Sequence, residues 1–222
     1  MTDEAEPSKA VAVMTQALEW LYERAITNIP ELGLESAVDL AESHLKSSGG
    51  NRDEAVDRLV TWYVVYAGAA GFASNVGGVI MMPVAIPANV TSVFLIQLRM
   101  IAAIAHLRGY SVKDEQVKTL AFISLTGSGS TKILQEFGIS LTTKLSTRLI
   151  MQISGATLRN INQAVGFRLV TKAGTTGLIN LTKFVPVVGG VVGGAFDATV
   201  THGIAGAAKN VFKPIHDQIS IG

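Results

Sequence analysis

Residues 59–98 read LVTWYVVYAGAAGFASNVGGVIMMPVAIPANVTSVFLIQL. These 40 positions, bounded by Arg58 and Arg99, hold no Asp, Glu, Lys or Arg. A surface helix must show a charged or polar face to water, so it rarely continues this far without one. The stretch is about twice the ~20 residues that one membrane span needs. It must be buried all round, either in lipid or beneath other helices. Gly68, Gly71, Gly77 and Gly78 loosen it, and Pro83 and Pro87 interrupt it. The pattern predicts an apolar helical hairpin. One helix enters from Asn51, the bend lies around Gly77–Pro87, and a second helix runs from about Ala88 to Arg108. Met81, Met82, Pro83, Val84, Ile86 and Pro87, at the bend, are the residues expected to touch membrane or lipid.

The flanks predict further helices. In the first 30 residues, Val11, Met14, Leu18, Leu21, Tyr22, Ala25 and Ile29 step by one, three and four, which is one buried stripe. Pro7-Ser8 should open this helix and Pro30 stop it. A short helix is expected near Glu35–Lys46, with Val38, Ala41 and Leu45 inward, followed by a flexible break at Ser47-Ser48-Gly49-Gly50. Asn51 and Glu54 have capping-box spacing for the next helix. Gly109 should end the Ala88 helix, and Ser111-x-x-Asp114 should cap another reaching about Thr126. Between Thr131 and Lys172 the apolar residues again step by three or four, though Ile139-Ser140-Leu141-Thr142 could pass for a short strand. Near the C-terminus, Gly189, Gly190, Gly193 and Gly194 form two overlaid glycine pairs at spacing four. Such pairs strip one helix face of side chains and admit a neighbour closely, so they are read as helix-packing residues of a glycine zipper. The fold class is therefore all-α: a single multi-helix bundle with a central apolar hairpin and a zipper helix packed on it. Residues 1–7 are expected to be a disordered N-terminus, 8–213 the helical domain and 214–222 a tail.

Composition agrees. The chain has 222 residues, a mean hydropathy of +0.38 and only 16% charged residues, against about 25% in a typical soluble domain. There is no cysteine, which excludes disulfides, thiolate metal sites and cysteine nucleophiles. The acidic N-terminus lacks the basic start and apolar core of a secretory signal, so a cytoplasmic-side protein is expected. Charge is unevenly placed. Residues 1–98 carry −7 and residues 99–222 carry +8, leaving +1 overall. Two acid/base-complementary halves can pack on one another, or the basic half can face an anionic surface. Lys132, Lys144, Arg148, Arg159, Arg168 and Lys172 face a single acid, Glu136, within one segment. They are the candidate contacts for anionic lipid, each contributing about 1 kcal/mol near such a surface. Basic residues are nowhere interleaved with aromatics, so nucleic acid is not expected as a partner.

Chemistry-bearing motifs are weak. Thr126-Gly127-Ser128-Gly129-Ser130-Thr131-Lys132 falls short of a nucleotide phosphate loop, which needs a second glycine where Thr131 stands and Ser or Thr where Ile133 stands. It is read as a loop and helix cap, with a lipid phosphate at that helix start as the other reading. Asp197 and Thr201, four apart, suit a hydrogen bond, whereas Asp197 and His202, five apart, are rotated away from each other. Asp197, Thr201 and His202 are read as buried polar residues, with an interfacial or catalytic role as the alternatives. His44, His106 and His216 have no second ligand at metal spacing, so no metal or other cofactor is expected.

Several of these segments together resemble a known family. They are Pro83-Val84-Ala85-Ile86-Pro87, the helix ending His106-Leu107-Arg108-Gly109-Tyr110, the run Val185-Pro186-Val187-Val188-Gly189-Gly190-Val191-Val192-Gly193-Gly194, and Ala207-Ala208-x-x-Val211-Phe212. In this order they resemble the EcsC family over about residues 15–213. Asp197 stands where that family prefers Asn, and Ser111 where it prefers an acid. The resemblance implies a bacterial, apolar, all-helical protein with membrane association and an accessory role. It also implies a membrane-protein partner such as an ABC transporter, since the family is named from a protein encoded beside an ABC exporter. It carries over no active-site residue. The resulting expectation is a non-enzymatic, membrane-associated accessory protein at the cytoplasmic side of the cell membrane, linked to transport or envelope maintenance. A soluble helical lipid-binding bundle and a hydrolase-type enzyme with a site near Asp197 are the competing expectations.

Overall fold

The computed structural model describes residues 5–68, 88–139, 152–175 and 190–215, with backbone alone at 5–8, 66–68, 88–90, 172–175 and 190–197. These residues form eight α-helices and no strand. In chain order they are α1 (Ala5–Ala25), α2 (Ala37–Ser47), α3 (Arg52–Gly68) and α4 (Ala88–Leu107), then α5 (Glu115–Leu125), α6 (Ser130–Glu136), α7 (Gly155–Thr175) and α8 (Gly190–Val211). The nearest thing to a sheet is one antiparallel bridge between Ile29 and Leu34.

The centre of the bundle is α4. It packs against α1, α2, α3, α5 and α8. Met100 to Ala105 and Leu95, Leu98 and Leu107 are all buried without remainder. Its lack of a charged outer face is thus explained by protein on every side. Of the uncharged stretch, Thr91, Ser92, Leu95, Gln97 and Leu98 on α4 are buried by other helices, while Val93, Phe94 and Ile96 are half-buried. Around it, Met14, Leu18, Leu21, Tyr22 and Ala25 of α1 form the predicted stripe, and Val11 is half-buried. Leu158, Ile161, Val165 and Leu169 form the inner face of α7.

Helix ends follow local chemistry, with informative departures. Asn51 Oδ1 accepts from the backbone N–H of Asp53 and Glu54, both at 3.1 Å, as its capping spacing predicts. Gly109, at φ +94°, follows α4, and the N–H of Tyr110 reaches back to Ala105 O at 3.0 Å. By contrast, α1 ends at Ala25 rather than at Pro30. Ile29 still reaches the core, but from the bridged turn. Ser47–Gly50 closes as a hydrogen-bonded turn, Gly50 N–H to Leu45 O at 3.0 Å, where a flexible break was expected. Ser111 does not cap α5. It accepts from Asp114 N–H in a preceding turn, and Asp114 occupies the N-cap position without a side-chain bond. Gly127–Gly129 is a 3-10 turn running directly into α6, and α5, not a strand, precedes it. Ile139 ends outside any strand, and residues 140–142 lie outside the described residues.

A close helix contact is made at Gly166. A Cβ there would sit 2.8 Å from Thr15 Oγ1 and 3.3 Å from Val11 O, so α7 crosses α1 at close range. Gly189 lies outside the described residues. Gly190, Gly193 and Gly194 lie in the first turns of α8, where backbone alone is described. Further along α8, Gly203 and Gly206 face open space.

Candidate functional site

The site that the fold builds is one end of the α3–α4–α8 core. Arg52 Nη1 donates to Leu107 O at 3.0 Å, and Arg108 pairs with Asp53, so the start of α3 lies beside the end of α4. Tyr63 hydrogen-bonds Arg99 further along, which makes the two helices antiparallel. The expected hairpin partners are therefore paired, although residues 69–87, which hold its bend, lie outside the described residues. Lys209 Nζ, near the end of α8, is 2.7 Å from Asp57 Oδ1 near the start of α3. One end of the core is accordingly rich in charge. It also holds Glu42 with His106 at 2.7 Å, the Tyr110–Phe212 edge contact at 5.2 Å, and the Tyr110 hydroxyl donating to Lys213 O at 3.0 Å.

Toward the other end, α3 past Arg58 and α4 before Arg99 carry no charge. The inner face of α3 is Ala55, Val56, Leu59, Val60 and Tyr63. Its outer face begins Glu54, Asp57, Arg58 and continues Thr61, Trp62, Val65. Glu54, Arg58, Trp62 and Val65 fall on one stripe at helical spacing. The first pair is an ion pair at 2.8 Å. The second pair is apolar and open to solvent, Trp62 at 42% and Val65 at 67%. On α4, before Arg99, Val93, Phe94 and Ile96 are half-buried. Arg99 marks the boundary. It is 2% exposed and donates to Thr27 O at 3.4 Å. Burial lowers its pKa, opposed by Tyr63 and by the charges of Glu35 and Asp39.

The acidic and basic halves of the sequence meet across helices. Glu19–Lys118, Glu42–His106, Asp53–Arg108 and Asp57–Lys209 each join residues 1–98 to residues 99–222. Of the two readings of the charge asymmetry, complementary packing accounts for these bases. Lys118 and Arg108 are the most enclosed of these bases. At Lys118, burial opposes the charge, but hydrogen bonds to Glu115 and Glu19 outweigh that and raise its pKa.

The predicted site residues are dispersed. Met81, Met82, Pro83, Val84, Ile86, Pro87, Lys144 and Arg148 lie outside the described residues. Lys132 on α6 and Arg159 on α7 are exposed. Arg168 is held by Glu136 at 2.6 Å, which reduces its availability to lipid. Lys172 and Asp197 lie in helices whose backbone alone is described there. On α8, Thr201 is buried at 5% exposure while His202 is exposed, so these neighbours point to different sides. Among the described residues no three His, Asp or Glu cluster as a metal site, and no helix is long and apolar enough to cross a membrane.

The family comparison agrees with the sequence resemblance. The model of the EcsC protein family matches residues 2–214, nearly the whole chain. The chain belongs to the EcsC family. No curated protein and no solved structure matches it. For this EcsC chain, sequence reasoning missed Trp62, Val65, Gly166 and the burial of Arg99. The signal for Trp62 was present: it stands one helical turn past Arg58, the last charge before the uncharged stretch.

Proposed function

We propose that this EcsC-family protein is a membrane-associated accessory protein with no chemistry of its own. It works at the cytoplasmic side of the cell membrane, peripheral or partly inserted, in transport or envelope maintenance, beside a membrane-protein partner such as an ABC transporter. The observation that carries this reading is the outer face of α3, which passes from Glu54, Asp57 and Arg58 to exposed Trp62 and Val65 along one helix. Exposed apolar residues next to an uncharged chain segment are costly in water and favourable against lipid. The enclosure of α4 supports a peripheral or partly inserted form rather than a spanning hairpin. Exposed Lys132 and Arg159 add attraction to anionic headgroups.

Fractionation of expressing cells tests this reading. The protein is expected in the membrane pellet without detergent, with carbonate separating peripheral from inserted forms. Flotation with anionic vesicles should exceed flotation with neutral ones and weaken with salt. A stable monomer that stays in the high-speed supernatant and floats with neither vesicle would overturn it.

A further inference from the structure

We draw no further inference here: the strongest candidate, the carboxylate cluster of Glu19 and Glu23 on α1 and Glu115 on α5 beside the buried Asn162 of α7, is already filled by the Lys118 ammonium, and the unpartnered Asn162 Oδ1 is enclosed in protein with nothing in the structure to show that it faces a ligand.

Discussion

The two ends of α3 belong to one helix and bury the same kind of inner face, yet they meet different surroundings. At its start, Arg52, Asp53, Asp57 and the neighbouring turn are tied to α4 and α8 by hydrogen bonds and ion pairs. Past Arg58, the same outer stripe carries Trp62 and Val65 in contact with solvent. The difference shows that the uncharged stretch has two physical roles. In α4, Leu95, Gln97 and Leu98 of it are core, within a helix packed among five others. At the end of α3 it is surface without charge. A single hydropathy pattern covers both, because hydropathy records the side chain and not what lies against it.

This contrast makes the charged end the seat of stability. Its largest test is Phe212→Ala. Phe212 is fully buried with its ring against Tyr110, and emptying that site should destabilise the fold by about 3–5 kcal/mol in chemical denaturation. A change under ~1 kcal/mol would mean that the charged end is not closed as described.

Gly166 and Gly203 sharpen the account of packing. At Gly166 an added methyl meets Thr15 Oγ1 and the Val11 carbonyl oxygen, so Gly166→Ala should cost roughly 1–3 kcal/mol. At Gly203, on the outer face of α8, the methyl meets nothing. Gly203→Ala should stabilise by roughly 0.4–1 kcal/mol, because alanine loses less backbone freedom on folding. Paired thermal melts read both signs, and equal effects would contradict the placement of α7 on α1.

The smallest effect concerns pH. Burial, and then the nearby Arg58 charge, lower the pKa of half-buried His44 from its ordinary 6.5. The unfolded chain then binds the proton more readily than the folded one. This contribution to stability is intact above about pH 6.5 and diminishes as pH falls through the folded-state pKa. His44→Gln should flatten the stability–pH slope between pH 7 and 5, and an unchanged slope would show that His44 is not enclosed.

Much of the architecture was legible in the sequence, for reasons local to each element. The bounds of α4 followed from Gly109 and the run after Pro87. The buried stripe of α1 followed from spacing, and the start of α3 from Asn51. The features that were not legible depend on distant partners. Arg99 sits among Leu98, Met100 and Ile101, and only the fold brings Tyr63 and the Thr27 carbonyl to it. Gly166 has no glycine at spacing four to announce a close approach, and its need for space is set by Thr15 and Val11, about 150 residues earlier. The candidate site was partly legible. Loss of charge after Arg58 could be read directly, but exposure of Trp62 and Val65 required knowing which face of α3 the other helices cover.

The central claim is that the uncharged end of α3, and not the charged end of the core, carries the affinity for lipid. The most direct measurement is vesicle flotation of two charge-insertion variants, Val65→Glu at the uncharged end and Ser47→Glu, at an exposed position, at the charged end. Both sites are on the surface, so both variants should unfold within about 0.5 kcal/mol of the parent. The account predicts that Val65→Glu loses flotation with anionic and neutral vesicles alike, while Ser47→Glu floats as the parent does. Equal flotation of the two variants, or loss confined to Ser47→Glu, would contradict it.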